Sequence, residues 1–339
     1  MQPGSAYYFA QQHCLILRRQ ARASGMTDDE INALLRRGEW VAVRRGVYTT
    51  RAHWESLEPY VARPQLEVWA ALLTKQTPQI ASHDSAAYLQ GLDILEASPR
   101  LVHITRHGAL GGRTRHGVKH HKAPMEPGQI VFVDGQPVLD IPRTVADIAR
   151  EHGLRHGIVA AGSALRADVT RRELRAAIAP MRSWPNVTLV RRAVEWADGR
   201  CESPGEDLTL LMLKQLGIGD VEPQFGLQEN GRLAWLDFRI RRHFVEFDGH
   251  LKFRPVREGG LATQAPDEVL WKEKQRQDWV CGFKTGMSRL TWVDVQPDAW
   301  AQTQARLLRE ILATDALFGT SIDDLAPYRV RHPRRRPRR

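Results

Sequence analysis

The sequence predicts a multidomain α/β protein, and three observations lead to this class. The chain has 339 residues, which is more than one hydrophobic core usually organises. Its hydrophobic fraction of 42% is typical of a globular protein. Segments with helical periodicity alternate along the chain with short runs that have the alternation of strands. The predicted domains are residues 1–52, 66–200 and 201–296, followed by a helical extension at 297–328 and a disordered basic tail at 329–339.

Residues 7–50 predict two helices followed by a β-hairpin. The first helix runs to Gly25, and the second begins at a capping-box pattern that starts with Thr27. The hairpin EWVAVRRGVYTT turns at its Arg-Arg-Gly sequence. This order is the outline of a winged helix-turn-helix, whose exposed arginines would contact DNA phosphates. Winged helices also dock proteins, and a charge run is often only a solvated face, so these alternatives stay open. The candidate DNA-binding residues are Arg36, Arg37, Arg44 and Arg45.

Residues 66–200 predict a mixed α/β region. Helical patterns occur at LEVWAALLTK, after Ser85, and in several segments between residues 143 and 198. Strand patterns occur at LVHIT, QIVFV and QPVLDI. Five histidines are predicted to lie in or near a loop, and their spacing matches no metal-binding signature, so the sequence assigns this region no chemistry. The five are His103, His107, His116, His120 and His121.

Residues 201–296 predict the order helix, β-hairpin, helix, strand. Ser203 as N-cap, Pro204 at the first helical position and Gly217 as terminator delimit the first helix. The hairpin consists of the runs LAWLDFRI and FVEFD, joined by a basic Arg-Arg-His turn. Both runs are rich in aromatic and β-branched residues, as strands are. The second helix is predicted at EVLWKEKQRQDWVCG and the last strand at SRLTWVDV.

Three carboxylates interrupt the apolar runs of this hairpin: Asp237, Glu246 and Asp248. Side chains alternate along a strand, so Glu246 and Asp248 point to the same face. If the hairpin loop has two or four residues, Asp237 lies directly opposite Glu246, about 5 Å away, where like charges are destabilising. A cation or shared protons would relieve this repulsion, which is typical of a divalent-metal site. In the alternative, the acids lie on the solvent face of the strands and Arg239 pairs with one of them.

The segment GMTDDEINALLRRGEWVAVRRGVYTT resembles the N-terminal winged helix of AbiEi-family antitoxin domains from type IV toxin–antitoxin systems. The segments SHDSAAYLQGL, LVHIT and PRTVADIAR are similar to the domain that follows the winged helix in those proteins. The resemblance implies that the protein binds DNA, and it makes a toxin a candidate protein partner.

The last predicted domain resembles the PD-(D/E)XK nuclease superfamily, and most of all its bacterial branch related to the very-short-patch-repair endonucleases. The matching pieces are Glu206, the LDF and EFDG sequences of the hairpin, Lys252, the helix phrase WKEKQRQD and the LTW sequence. The resemblance implies a Mg²⁺- or Mn²⁺-dependent DNA endonuclease in which Asp237 and Glu246 bind the metal and Glu206 supports them. Asp248 stands where the superfamily usually has a lysine, so it is a further candidate ligand.

The departure at Asp248 leaves the predicted site without its usual positive side chain. Phosphodiester hydrolysis needs a metal that acidifies a water molecule, and a positive group that stabilises the pentacoordinate charge. Lys274 is the favoured group because it lies on a rigid helix, and Lys252 is the alternative. Both lysines also have an interpretation as solvated surface groups, and Glu206 has one as the third residue of a capping box. The alternative functions are a DNA-binding, antitoxin-like regulator with an inactive nuclease fold and a module that docks a toxin.

Composition narrows the class of partner and the compartment. The net charge of +10 and the pI near 9.9 favour an anionic partner. Nucleic acid fits better than a membrane, because no apolar run approaches the roughly 20 residues of a spanning helix. The N-terminus lacks the pattern of a signal peptide, and the three cysteines form no CxxC pair. The sequence therefore predicts a cytoplasmic protein that binds DNA.

Overall fold

The computed structural model describes residues 3–108, 111–249 and 266–330, and this part of the chain is a mixed α/β protein with three β-sheets. The chain forms two compact units. Unit 1 consists of residues 1–160 and 172–190, and unit 2 consists of residues 161–171 and 191–339. The predicted winged helix and most of the predicted mixed α/β region belong to unit 1, and the predicted last domain belongs to unit 2.

The N-terminal part of unit 1 contains three helices and a small sheet. Its elements are α1 (Pro3–Gln11), β1 (Ile16–Leu17), α2 (Arg18–Ala23), α3 (Asp28–Arg36), β2 (Trp40–Arg44) and β3 (Val47–Thr50). The first predicted helix is interrupted, because His13 and Cys14 have φ angles of 51° and 57° and turn the chain into β1. The sheet order is β1-β3-β2. Thr27 caps α3 as predicted and accepts a hydrogen bond from the Glu30 amide at 3.2 Å.

The rest of unit 1 contains a six-stranded sheet with the order β6-β7-β5-β4-β9-β8, in which β5–β7 and β4–β9 are parallel pairs. Its strands are β4 (Ile80–Ala81), β5 (Val102–His107), β6 (Gly111–Arg115), β7 (Val118–Ala123), β8 (Ile130–Val133) and β9 (Gln136–Leu139). Three helices precede or flank the first strands: α4 (Arg51–Ser56), α5 (Ala62–Leu73) and α6 (His83–Leu89). Four helices follow in the chain, of which α8 and α10 continue into unit 2: α7 (Ile141–His152), α8 (Leu154–Arg166), α9 (Arg171–Ile178) and α10 (Val187–Trp196).

Four of the five histidines lie on strands, and the predicted strand LVHIT, which contains His103, is present. His103 and His107 lie on β5, and His120 and His121 lie on β7. Only His116 lies in a turn, where its φ of 50° lets β6 fold back onto β7. The strand β6 is exposed along its whole length, so it lacks the alternation of apolar and polar residues that marks a strand in a sequence.

Unit 2 contains a four-stranded sheet with the order β10-β11-β12-β13. The pairs β10–β11 and β11–β12 are antiparallel, and β12–β13 is parallel. The elements are α11 (Pro204–Leu216), β10 (Val221–Glu229), β11 (Arg232–Ile240), β12 (His243–Phe247), α12 (Pro266–Cys281), β13 (Gly286–Leu290), α13 (Trp300–Phe318) and a 3-10 helix (Asp323–Tyr328). The predicted order of helix, hairpin, helix and strand is present, and β10 is an additional strand before the hairpin.

One hydrophobic cluster of unit 2 joins the sheet to α12. Phe225 and Leu227 of β10, Leu236 of β11, Phe244 of β12 and Val280 of α12 are buried together there. Ser203 caps α11, and Gly217 ends it with a left-handed φ of 65°, both as predicted. Among the described helices, none is long and apolar enough to span a bilayer.

Candidate functional site

The hairpin turn has two residues, Arg241 and Arg242, because His243 begins β12 and pairs with Ile240. The predicted three-residue turn is therefore one residue too long. In the same register, Arg239 pairs with Phe244 and Phe238 pairs with Val245. Continuing this register by one residue places Asp237 across from Glu246, which is the arrangement that a two-residue loop was expected to produce.

The carboxylates of the hairpin lie around Phe247, the last residue of β12. An oxygen of Asp237 (Oδ2) accepts a hydrogen bond from the Phe247 amide at 2.8 Å. Glu246 and Asp248 are the chain neighbours of Phe247, and the Asp248 amide donates to the Leu290 carbonyl at 2.7 Å. Every residue of β12 is buried, and Glu246 is 8% exposed. Glu246 is therefore not part of a solvent face, in contrast to the alternative that the sequence left open.

Glu206 lies at the start of α11, where it takes part in a buried hydrogen-bond network. Its amide donates to the Ser203 hydroxyl at 3.2 Å, and its carboxylate accepts from that hydroxyl at 3.0 Å. The carboxylate also accepts from the Glu202 amide at 2.8 Å and from the Gln224 side chain at 3.3 Å. Burial raises the pKa of Glu206, although these hydrogen bonds from Glu202 and Ser203 act in the opposite direction. The capping role that the sequence left open is present.

The first turn of α11 packs on the same end of the hairpin. A Cβ added to Gly205 would lie 2.0 Å from the Phe247 ring, so only glycine permits this approach of helix to strand. Glu206 follows Gly205 directly. The structure therefore gathers Glu206, Asp237, Glu246 and Asp248 around one residue, although they come from three elements and the chain segment after β12.

Two arginines neutralise Glu246. Arg276 of α12 has Nη2 at 2.5 and 2.6 Å from the two carboxylate oxygens, and it also donates to Glu273 at 2.9 Å. Arg289 of β13 pairs with Glu246 in register, donates to Glu273, and has Nε 3.7 Å from Glu246. Burial lowers the pKa of Arg276, but its hydrogen bonds to Glu273 and Glu246 outweigh burial and raise this pKa well above its usual range. Arg239, which the sequence offered as a partner, binds Glu222 of β10 at 2.8 Å.

The lysine that the sequence favoured lies on the other face of α12. Lys274 is exposed, as are Trp271 and Asp278 on the same helix. Arg276 lies one turn before the buried Val280 and shares the inner face with it. The spacing from Val280 was the signal that could have identified Arg276 in the sequence. Lys252 lies outside the described residues.

The three predicted metal ligands do not converge tightly. Within the described ranges, groups of three or more His, Cys, Asp or Glu ligand atoms within 4.8 Å of one another occur only in unit 1. Asp237, Glu246 and Asp248 therefore share an end of the hairpin without forming such a group, and Glu246 is oriented toward Arg276.

The four predicted DNA-binding arginines differ in exposure. Arg36, Arg37 and Arg45 are exposed, as expected, and Arg37 pairs with Glu39 at 2.5 Å. Arg44 is half-buried and donates to the His116 carbonyl at 3.0 Å, so its interpretation as an exposed phosphate ligand is wrong. Burial also lowers the pKa of Arg44. The side chain reaches the six-stranded sheet of unit 1 because β2 ends beside the β6–β7 turn.

The prediction of a disordered tail at 329–339 is wrong for its first two residues. The Val330 amide donates to the Gly226 carbonyl of β10 at 2.9 Å, and Arg329 binds Glu222. Arg329 also lies over the Phe225 ring, with its guanidinium carbon 5.4 Å from the ring centroid. These two residues extend the sheet edge of unit 2. Residues 331–339 lie outside the described part.

Histidines of unit 1 form a cluster that the sequence did not predict. His103 of β5 and His121 of β7 have ring nitrogens 2.9 Å apart, and the His83 ring stacks on that of His121 with centroids 3.9 Å apart. Burial lowers the pKa of His83 and of His103, and it lowers the pKa of His121 to about 4. All three imidazoles are therefore neutral near pH 7. Their chain positions are far apart, so no spacing motif could reveal them.

Comparison with known proteins does not assign the chain to a family. No family model matches the sequence, and no curated protein matches it. Among solved structures, the crystal structure of the RV2827C protein from Mycobacterium tuberculosis is similar with a TM-score of 0.36 and 16% identity, covering 61% of this chain and 78% of that one.

Proposed function

We propose that this protein is a DNA-binding, divalent-metal-dependent endonuclease, with unit 2 as the catalytic part and the winged helix of unit 1 as a docking part. The observation that carries the proposal is that four acidic residues, Glu206, Asp237, Glu246 and Asp248, lie at the same end of the hairpin beside Phe247. Glu206 reaches this place through the contact of Gly205 with Phe247, and Asp237 reaches it through the Phe247 amide. The net charge of +10 supports an anionic substrate.

The donor chemistry of these residues fits Mg²⁺ or Mn²⁺. Carboxylate oxygens are the ligands that Mg²⁺ prefers, and it usually takes one or two of them and keeps several waters. Asp237 and Glu246 would supply these oxygens, and Asp248 is the further candidate ligand. The bound ion would acidify a water molecule and neutralise charge on the phosphoryl oxygens. Glu246 has both oxygens on Arg276, so ion binding requires that this contact loosen.

Positive side chains beside the acids support action on a phosphodiester. When Glu246 binds an ion, Arg276 and Arg289 remain next to it and can donate to phosphate oxygens, for which a guanidinium is well suited. We propose that Arg276 takes the part of the lysine that Asp248 replaces. Lys274 faces solvent. It could stabilise the phosphate charge only if DNA contacted the outer face of α12.

The test is cleavage of supercoiled plasmid with and without Mg²⁺ or Mn²⁺. The wild-type protein should nick or cut the plasmid only when one of these ions is present, and excess EDTA should stop the reaction. Asp237→Asn should abolish cleavage while unfolding and DNA affinity stay unchanged, because the amide oxygen of asparagine can still accept from Phe247. Glu246→Gln should also abolish it. Asp278→Asn is the matched control, since Asp278 is an exposed acid on α12.

A second candidate is a DNA-binding, antitoxin-like regulator whose nuclease-like unit is inactive. The Arg276 contact with both oxygens of Glu246 favours it, because this ion pair satisfies the acid without a metal. The same experiments separate the two functions. DNA binding without cleavage in Mg²⁺ and in Mn²⁺, with Asp237→Asn indistinguishable from wild type, would establish the regulator and exclude the nuclease.

A further inference from the structure

Unit 1 brings three histidines together on one face of its six-stranded sheet, over the inner strands β7 and β5. His103 and His121 lie on the neighbouring parallel strands β5 and β7, where Thr105 is the register partner of His121. Residues two apart on a strand share a face, so His103, Thr105 and His121 point to the same side of the sheet. His83, the first residue of α6, approaches from this side, and its Nδ1 lies 3.0 Å from the Ser82 hydroxyl.

The distances among these imidazoles suit a metal ion. His103 Nδ1 lies 2.9 Å from His121 Nε2, and one ligand nitrogen from each of the three residues lies within 4.8 Å of the others. With Zn–N bonds of about 2.0–2.1 Å, ligand nitrogens of a tetrahedral site are about 3.4 Å apart. The His83 and His121 rings are stacked with an interplanar angle of 16°, so their in-plane lone pairs do not converge as the rings stand. Binding of one ion by all three residues therefore requires rotation of the His83 ring in addition to small shifts of the nitrogens.

The second nitrogen of His103 faces a carboxylate. His103 Nε2 lies 4.0 Å from Asp84 Oδ2, and Asp84 is 4% exposed. The same oxygen lies 2.9 Å from His152 Nε2 at the end of α7, which holds the carboxylate in place. At 4.0 Å the two groups are too far apart for a hydrogen bond, and an approach of about 1 Å would form one. A carboxylate that accepts from the far nitrogen of a ligating histidine is the usual outer partner of a metal site, because it selects the tautomer and orients the ring.

A cavity of about 490 Å³ adjoins the cluster on the side of His83 and His121. Basic side chains dominate its polar lining, although Lys119 pairs with Glu151 and Arg150 pairs with Asp147 at 3.3 Å. Three protein ligands and an accessible fourth position are typical of zinc sites that bind water or a further ligand, whereas structural zinc sites are closed by four. Imidazole ligands without carboxylates select zinc, copper, nickel or iron over Mg²⁺.

We propose that His83, His103 and His121 bind one divalent transition-metal ion of the zinc class, with Asp84 orienting His103 and the fourth coordination position open to the cavity. The basic lining of the cavity suits an anionic oxygen ligand at that position, of which inorganic phosphate is the simplest. The site is independent of the carboxylates in unit 2.

The test uses untagged full-length protein that has been stripped of metal by a chelator. Titration with Co²⁺ should produce visible absorption bands that saturate at one ion per chain, and Zn²⁺ should displace Co²⁺ whereas Mg²⁺ should not. His83→Ala and His121→Ala should each weaken Co²⁺ binding by more than a hundredfold. Asp84→Asn should weaken it by about 10–100-fold, the usual effect of removing an outer partner. Zn²⁺ should also raise the unfolding temperature of the wild type and not that of His121→Ala.

His120→Ala is the matched control. His120 precedes His121 on β7, so its side chain points to the opposite face, and the substitution removes the same ring. This variant should bind Co²⁺ as the wild type does. Three results would overturn the proposal: wild-type protein that binds neither ion at micromolar concentration, equal loss of binding in His120→Ala and His121→Ala, or loss in His152→Ala with full binding in His83→Ala. The last result would move the ion to Asp84, His103 and His152. The titration of the wild-type protein shows whether it binds one ion, even if a variant fails to fold.

Discussion

At the scale of the residue, the balance of charge beside the hairpin acids depends on arginine. Arg276 reaches both oxygens of Glu246 and also binds Glu273, whereas Lys274, two residues earlier, is exposed. A guanidinium offers several donors in one plane, so it can serve two carboxylates at once, which an ammonium group does with less geometric control. Arg276 therefore links Glu246 of β12 to Glu273 of its own helix.

Replacing Arg276 by methionine should lower the free energy of unfolding by about 2 kcal/mol, because Glu246 would stay buried without its main donor. Lys274→Met should change it by no more than about 0.5 kcal/mol. Urea unfolding followed by tryptophan fluorescence measures both. The double variant Arg276→Met/Glu246→Gln should recover part of the loss, since the uncompensated charge is gone.

Cleavage should show the same contrast between these two positions. Arg276→Lys should lower the plasmid-cutting rate by about a hundredfold, the usual scale for a positioned electrostatic group, and Lys274→Ala should cut normally. If Lys274→Ala failed to cut the plasmid and Arg276→Lys cut it normally, Lys274 would be the group that stabilises the phosphate charge, as the sequence predicts.

His243 is a second residue whose surroundings have a measurable consequence. Its ring nitrogens lie 2.7 Å from the hydroxyls of Thr314 and Ser288, and the residue is 2% exposed. Burial lowers the pKa of His243 to about 4, although Glu310 and Asp315 act to raise it. In the unfolded chain this pKa is near its ordinary value of about 6.5.

Unit 2 should therefore lose stability as the pH falls from about 6.5 to about 4. In this window the unfolded chain binds a proton at residue 243 that the folded chain does not, and the maximal effect is about 3 kcal/mol. Urea unfolding at pH 7.5 and at pH 4.5 should show a smaller pH dependence in His243→Gln than in the wild type. Replacing the exposed His107 by glutamine should leave the dependence unchanged, and equal slopes for all three proteins would contradict the prediction.

At the scale of the element, the N-terminal helices and hairpin that we propose to be a winged helix present two surfaces of opposite charge. The first turn of α3 carries the exposed acids Asp28, Asp29 and Glu30, whereas the end of α3 and the β2–β3 turn carry exposed arginines. Phosphates are repelled by the first surface and attracted by the second. Docking on DNA should therefore use the wing and the end of α3 rather than the start of α3.

The two arginines of the wing should differ when each is replaced by alanine. Arg45→Ala should weaken binding to all DNA sequences alike and reduce the slope of log K against log salt by about 0.9, the effect of one phosphate contact. Arg44→Ala should leave that slope unchanged and lower stability by about 1 kcal/mol, since it removes the hydrogen bond to the His116 carbonyl. Fluorescence anisotropy over a salt series measures the slope. If neither variant changes DNA binding, the wing is better explained as a protein-docking surface.

At the scale of the whole molecule, positive charge extends to the C-terminus. Residues 331–339 contain six arginines, whereas Arg329 and Val330 are bound to β10. Deleting residues 331–339 should weaken DNA binding without regard to sequence and flatten the salt slope, by up to about 5 if each arginine meets a phosphate. Stability should not change. The longer deletion of residues 329–339 should in addition destabilise unit 2. If neither deletion changed the salt slope, the tail would not contribute to DNA binding.

The sequence by itself determined the elements whose signals are local. Capping boxes marked the starts of α3 and α11, Gly217 marked the end of α11, and alternation marked the hairpin with its three acids. These features depend on residues within a few positions of one another, so the sequence alone is enough to predict them. The strands β6 and β10 were missed, because an exposed strand and one interrupted by Pro223 and Gly226 lack the alternating pattern.

Only the tertiary structure decided which side chains meet across elements. It directed Arg276 rather than Lys274 toward Glu246, since the inner face of α12 is set by the packing of Val280. It also placed Arg44 against the β6–β7 turn of unit 1. It brought together His83, His103 and His121, which span 38 residues of the sequence. Contacts of this kind arise when strands pair and helices pack, and a spacing along the chain carries no record of them, because each depends on the register and orientation of two separate elements.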